Sequence, residues 1–485
     1  MQKQIKKILI ANRGVPAVRV MQTCIKRGIR TVAVYSTPDR LSLHVSMADE
    51  AIHIGEASAL ESYLNMDRII DAALACNADA IHPGWGFLAE NPEFAARVVE
   101  AGLIWIGPSA KVIKLMGDKI RAKQIAREAD VPVIPGISNV TTAKEIEAWI
   151  DRDKVDLPIM IKAAAGGGGK GMVRVTDPAE FAPSLEQARS VAKKAFGDDT
   201  ILVEKYIDRS RHIEVQIVAD EHGNVLHLFE RECTMQRRNQ KVIEEAPSPA
   251  VDSAMREEIC TTAVRLMKEI GYTTAGTVEF IFDTATSKFY FLEVNTRLQV
   301  EHGITELVTG LDIASMMIDI AMGKELDIVQ DDVKLHRFAI EARINAEDPK
   351  SFNPSFGPIT GLRIPQGPGV RVSPGVYEGA EVPSHYDSLF MLLMSSGATR
   401  ADAVKTMDRS LDRELKVEGV KTLSPLLLSI IRHPDFMKGD FSTAFIAEHI
   451  DELTAQFGGA GEEEEILKVA KYVAEISAKG QQEWM

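Results

Sequence analysis

Lys162-Ala-Ala-Ala-Gly-Gly-Gly-Gly-Lys-Gly-Met172 is the stretch that decides how this chain is built. Apolar segments flank it on both sides, Leu157 to Lys162 and Met172 to Val175, so the loop is expected to join two antiparallel strands. A Walker loop would instead pass from a strand into a helix through Gly-Lys-Ser/Thr, a pattern that Gly171-Met-Val-Arg-Val does not fit. Glycines let backbone N–H groups approach phosphate oxygens with no Cβ in the way, and Lys162 and Lys170 add positive charge. The loop reads as a flexible lid over a nucleotide; a mobile hairpin without a ligand is the alternative.

Upstream, residues 5 to 106 alternate strand and helix signals: Ile8-Leu9-Ile10-Ala11, Pro16 to Arg27, Thr31 to Ser36, Leu64 to Ala75 and Ala80-Ile81-His82. That rhythm implies a parallel, doubly wound sheet. Leu103 to Gly107 reads as one more strand, Lys119 to Ala129 as a helix, and Asp130-Val-Pro-Val-Ile-Pro-Gly136 as a break between units. The expected divisions are 1–130, a small unit 131–207 around the glycine loop, a mixed α+β body 208–456, and a tail 457–485. The tail is a charged Gly-Gly-Ala-Gly-Glu-Glu-Glu-Glu linker followed by helical spacing from Ile466 to Ile476.

Downstream, Thr277 to Phe282 and Lys288 to Leu292 read as paired strands with a turn near Ala285 and Thr286. A turn centred at Thr286 makes Glu279 and Glu293 face each other, with Asn295 on the same face as Glu293. Two facing carboxylates repel, and a divalent cation explains their coexistence; carboxylate and amide oxygens suit Mg²⁺. A one-residue slip would separate the acids, and a solvated strand face is the competing reading. In Asn295-Thr-Arg-Leu-Gln-Val-Glu-His302, an extended chain would bring Asn295, Arg297, Gln299 and Glu301 to one face. Gln236-Arg-Arg-Asn-Gln-Lys241 and Glu341-Ala-Arg343 offer further cations for an anionic substrate.

The 485 residues carry a net charge of -14, which argues against a broad nucleic-acid surface. No run of about 18 apolar residues suggests a membrane span, and the start lacks a signal-peptide core, so a cytoplasmic protein is expected. Cys24, Cys76, Cys233 and Cys260 lack paired ligand spacing and read as reduced core cysteines.

From about Ile5 to Leu453 the sequence closely resembles the biotin carboxylase family, within the ATP-grasp fold. The resemblance is carried by Ile10-Ala-Asn-Arg-Gly14, His82-Pro-Gly-Trp-Gly-Phe-Leu88, Met116-Gly-Asp-Lys119, the glycine loop, Glu204-Lys-Tyr206, Met235-Gln-Arg-Arg238, Glu293-Val-Asn-Thr-Arg297 and Arg343-Ile-Asn-Ala-Glu-Asp348. It implies an α/β ATP-grasp protein with a doubly wound N-terminal domain, a glycine-loop lid and a mixed C-terminal domain. It implies ATP bound by Lys119, Lys162, Gly166, Gly167, Gly168, Gly169, Glu204, Lys205, Ile207, His212 and Gln236. Mg²⁺, for which Mn²⁺ can substitute, falls to Glu279, Glu293 and Asn295. Bicarbonate falls to Lys241, Arg297, Gln299 and Val300, with Glu301 as general base and Arg343 stabilising the biotin enolate; Trp85 and Arg343 would meet biotin. Lys241, Arg297, Glu301 and Arg343 form the implied catalytic set, working through carboxyphosphate.

The chain departs from the family at Gly14-Val-Pro-Ala17, where Gly-Glu-Ile-Ala is usual, and at Trp85 for tyrosine, Asn239 for histidine, Gly303 for proline, Leu392 for lysine and Ala165 for glycine. It lacks a biotin attachment signature, so biotin is expected in trans on a carboxyl carrier protein. The further expected partner is the carboxyltransferase subunit, and the expected assembly is a homodimer. Two other functions stay open: an ATP-grasp ligase passing carboxyphosphate to another acceptor, and a non-catalytic nucleotide-binding scaffold. The final acceptor (acetyl-CoA, propionyl-CoA or pyruvate) is not written in these residues.

Overall fold

The computed structural model describes residues 4–164, 172–455 and 457; the glycine loop from Ala165 to Gly171 and the tail beyond Phe457 lie outside the described residues. Strands β1 (Lys7–Ile10), β2 (Arg30–Ser36), β3 (Glu50–Gly55), β4 (Ala80–His82) and β5 (Ile104–Trp105) form a sheet of order β3-β2-β1-β4-β5. Every pairing in it is parallel, as the alternating rhythm predicts. Its strands are apolar on both faces because helices such as α1 (Gly14–Lys26) cover it, and Ile8, Leu9 and Ile10 are fully buried. The strand β3 escapes the sequence reading, since Glu50-Ala-Ile-His-Ile-Gly55 is half exposed and lacks a long apolar run.

A second sheet has order β6-β9-β7-β8, from β6 (Gly136–Ser138), β7 (Ile159–Ala163), β8 (Met172–Val175) and β9 (Ile201–Lys205). Strands β7 and β8, on either side of the glycine loop in the sequence, are antiparallel with Lys162 opposite Met172. One face packs on Trp149, Phe181 and Leu185.

The main body is an eight-stranded antiparallel sheet. Its order runs β14 (Lys288–Asn295), β13 (Thr274–Asp283), β10 (Ser210–Ala219), β11 (Val225–Arg237), β12 (Gln240–Ala246), β15 (Phe338–Asn345), then Leu389–Gly397 and Val370–Pro374. One sheet therefore collects charged side chains from segments far apart in the chain. The β13–β14 hairpin places Glu279 opposite Glu293 and Thr277 opposite Asn295. The turn, however, is centred between Ala285 and Thr286, because Asp283 pairs with Lys288 and Phe280 with Phe291. A bulge at Leu292 supplies the missing residue; without it the two acids would fall on opposite faces.

Candidate active site

A cavity of ≈ 560 Å³ opens between the small sheet and the large one. Lys119, Lys162, Glu204, Lys205, Ile207, His212 and Gln236 line it, as do Lys241, Glu279, Glu293, Asn295, Arg297, Gln299, Val300, Glu301 and Arg343. Gly166 to Gly169 lie outside the described residues. Trp85 does not line the cavity. Asn12 Nδ2 donates to the carbonyls of Pro83 (2.7 Å) and Trp85 (2.8 Å), which draws this turn inward. The Trp85 ring packs in the core against His302, 5.8 Å between ring centres. The structure thus places Trp85, expected to meet biotin, at the edge of the core and outside the cavity lining.

The inner wall is a buried charge network. Lys241 Nζ donates to Glu214 (2.6 Å), Glu279 (2.9 Å) and Glu301 (2.6 Å). Glu301 also accepts from Arg343 Nη2 (2.9 Å), whose Nε donates to Glu244 (2.6 Å). Behind Glu214 lies Arg231, fully buried and bonded to Glu214, Gln216 and Thr305. Burial pushes the Glu301 carboxyl up, but Lys241, then Arg343 and Arg231, hold it well below the usual carboxylate range. Glu244 is pushed up by burial, which Arg343 only partly offsets, to about 7. Glu341, opposite Glu244 and on the same face as Arg343, is fully buried with neither oxygen hydrogen-bonded. Burial and then the Glu244 charge push it well above the carboxylate range. Leu392, opposite Arg343, brings no counter-charge to this region.

The chain between Asn295 and His302 is irregular, not extended, since β14 ends at Asn295 and a helix begins at His302. Its side chains converge all the same. Arg297 donates to Glu90 (2.8 Å), Gln299 (2.9 Å) and Asn295 (3.0 Å), and Gln299 reaches Glu279 (3.3 Å).

The donor set fits a divalent cation. Burial, then the Glu279 charge, raises the Glu293 carboxyl, whereas Lys241 and His212 hold Glu279 well below the usual range against burial. A dication beside both would relieve that repulsion. His212 Nε2 lies 2.8 Å from Glu279. Asn295 leaves Nδ2 buried and unpaired while Oδ1 accepts from Arg297.

Two features escaped the sequence reading. Glu214 alternates with Gln216 in the otherwise apolar Ile213-Glu-Val-Gln-Ile217, a signal that was legible. Lys123 follows Lys119 by four residues on the helix Lys119–Glu128, hence on the same face, and contacts Glu204. Burial, then Lys162 and Lys119, lower the Lys123 ammonium, while the Glu204 carboxylate in contact with it favours the charged form. Elsewhere His433, His449 and Glu452 gather, with His433 as the N-cap of a short helix. The Asp435 N–H donates to His433 Nδ1 (3.2 Å), and His433 Nε2 lies 3.5 Å from Glu452.

Residues 4–113 match the model for the biotin carboxylase N-terminal domain, 118–329 that for the carbamoyl-phosphate synthase L chain ATP binding domain, and 341–448 that for the biotin carboxylase C-terminal domain. The chain is 48% identical over 443 residues to the biotin carboxylase of Nostoc sp., covering 91% of this chain and 98% of that one. It is 48% identical over 451 residues to the biotin carboxylase of Halalkalibacterium halodurans, covering 93% and 99%. The crystal structure of the biotin carboxylase domain dimer of Hydrogenobacter thermophilus 2-oxoglutarate carboxylase, in complex with MgADP, ADP and bicarbonate, superposes with a TM-score of 0.88. That comparison has 44% identity and covers 93% of this chain and 99% of the other.

Proposed function

The chain belongs to the biotin carboxylase family, and on that premise we propose that its cavity binds ATP and bicarbonate and carboxylates biotin presented by a carrier domain outside these 485 residues. It is an ATP-dependent ligase of the biotin carboxylase class. One observation carries the assignment of roles: phosphate-seeking cations, a carboxylate pair for a metal, and a cation–amide–carboxylate group for a small anion line one cavity.

Lys119, Lys162, His212 and Gln236 would draw in the polyphosphate, with Glu204, Lys205 and Ile207 around the base. Mg²⁺ held by Glu279, Glu293 and Asn295 would neutralise charge on the transferring phosphate. The planar bicarbonate suits the fork of Arg297 and the point charge of Lys241, with Gln299 and Val300 beside it. Glu301 accepts its proton. While Lys241 and Arg343 both hold Glu301, the carboxylate is a weak base; turning Lys241 onto bicarbonate removes its strongest stabilising charge and raises its basicity when the proton must move. The bicarbonate oxygen then attacks the γ-phosphorus, giving carboxyphosphate and ADP. Carboxyphosphate breaks into CO₂ and phosphate, the phosphate takes the proton of the biotin ureido nitrogen, Arg343 stabilises the resulting enolate, and the nitrogen attacks CO₂ to give carboxybiotin.

The partners follow the same reading: a biotin carboxyl carrier, a second copy of the chain and a carboxyltransferase subunit. A dimer is supported by the neighbour described as one. A cytoplasmic location is supported by four free, buried cysteines; among the described residues no helix is long and apolar enough to cross a membrane. The division at 130, 207 and 456 stands as part of the proposal. The test is ADP release with bicarbonate and free biotin omitted in turn. Turnover should need bicarbonate and rise with biotin, and turnover indifferent to bicarbonate would refute the assignment.

A further inference from the structure

Glu204 sits on β9 at the floor of the cavity, its side chain 3% exposed, between two ammonium groups: Lys123 Nζ on one oxygen and Lys162 Nζ on the other. Its place is built into the fold. A Cβ on Gly136, its partner across β6 and β9, would lie 2.7 Å from Glu204 Cγ, so only glycine leaves room. The surrounding lining includes the apolar Ile134, Met160 and Leu292. Lys123 projects from a helix with its side chain 4% exposed, whereas Lys162 leads toward the glycine loop on β7 and is 12% exposed.

We propose that Lys123 is a positioning residue, the resident counter-ion of Glu204, which frees Lys162 to pass from Glu204 to the phosphates of an adenine nucleotide. This rests on the reading of the cavity as an ATP site. One lysine cannot neutralise a buried carboxylate and a polyphosphate at once. With Lys162 alone, its departure would strand Glu204 as an unpaired buried charge, weakening nucleotide binding by roughly 10²- to 10³-fold. With Lys123 in place the carboxylate stays paired, and it keeps the acceptor character that an exocyclic amine on the base requires. Lys123 thereby acts on nucleotide affinity without touching the reacting atoms.

The experiment is equilibrium binding of MgATP to the full chain, alongside ADP-release kinetics, for wild type, K123M, E204Q and the double variant. K123M is expected to lose roughly 10²-fold or more in MgATP affinity, with the loss in KM for ATP and not in kcat. In the E204Q background the same substitution should change affinity by less than about threefold, because no charge is left to strand. A loss below about threefold for K123M, or an equal loss in both backgrounds, would overturn the proposal. Should K123M not fold, K123R and the double variant carry the test. Each keeps the site free of a stranded charge, so K123R must bind within about threefold of wild type and the double variant within about threefold of E204Q; a tenfold loss in either is refuting. A wild-type chain that binds no MgATP would instead refute the ATP-site reading.

Discussion

Replacing Lys241 by methionine tests the buried charge network directly. Lys241 holds three carboxylates, Glu214, Glu279 and Glu301, whose side chains are at most 5% exposed. Each keeps one other cationic partner: Arg231 for Glu214, His212 for Glu279 and Arg343 for Glu301. Three inner oxygens then face one another with nothing between them. The folded protein relieves the repulsion by taking up a proton, which sets a ceiling on the damage. Protonating one glutamate at pH 7 from an ordinary value of about 4.3 costs about 3.7 kcal/mol, in line with the ~3–5 kcal/mol of a broken buried pair. At pH 5.5 the same step costs about 1.6 kcal/mol.

The sign follows from linkage. An acid whose folded pKa is raised holds its proton while the unfolded chain loses it, so the variant's stability falls as pH rises above about 4.3. Urea unfolding followed by circular dichroism should therefore place K241M about 3–4 kcal/mol below wild type at pH 7 and about 1.5 kcal/mol below at pH 5.5. Bicarbonate-dependent ADP release should be lost at both pH values. A deficit under about 1 kcal/mol at pH 7, or one that does not shrink at pH 5.5, would show that the carboxylates do not depend on Lys241.

Glu301→Gln should lower bicarbonate-dependent ADP release by roughly 10²- to 10⁴-fold while leaving MgATP binding nearly intact, and unchanged turnover would remove Glu301 as the base. Asp39, buried and bound by Arg13 (2.6 and 2.8 Å) and Tyr63 (2.6 Å), is lowered to about 2 as those partners overcome burial. Its depressed pKa gives about 2 kcal/mol of stability present above about pH 4 and lost as pH falls toward 2, so Asp39→Asn should flatten the acid limb of the stability curve; an unchanged limb argues otherwise. Glu341→Gln replaces a neutral buried acid by a neutral amide. Its stability relative to wild type should rise with pH between about 5 and 8, and a variant destabilised by several kcal/mol would mean that Glu341 is ionised and paired.

Much of the site is legible in the sequence because its residues lie in short segments with strong local constraints. Glu293, Asn295, Arg297, Gln299 and Glu301 occur within nine residues, and all line the cavity. Alternation was the right guide as far as Asn295, where β14 ends; beyond it an irregular loop brings the side chains together, and Val300 joins them from an even position. The facing of Glu279 and Glu293 was legible only by assuming a turn centre half a residue from the real one, an error that the bulge at Leu292 cancels. Bulges leave almost no mark in a sequence, since any residue tolerates the extra position.

The sequence by itself determined the parallel N-terminal sheet, the antiparallel strands on either side of the glycine loop, and the segments that supply the site. Hydrophobic period and turn chemistry act over a few residues and need no partner. Tertiary structure alone decided which charges meet. Lys241 and Glu301 lie 60 residues apart, and Arg343 and Glu244 99. The strand order of one large sheet sets Lys241, Glu244 and Arg343 side by side and the loop after β14 brings Glu301 to them, while burial makes each pairing obligatory. The same burial took Trp85 into the core, left Glu341 without a hydrogen-bond partner and gave Glu204 two lysines, outcomes that depend on what lies across space and that no local pattern encodes.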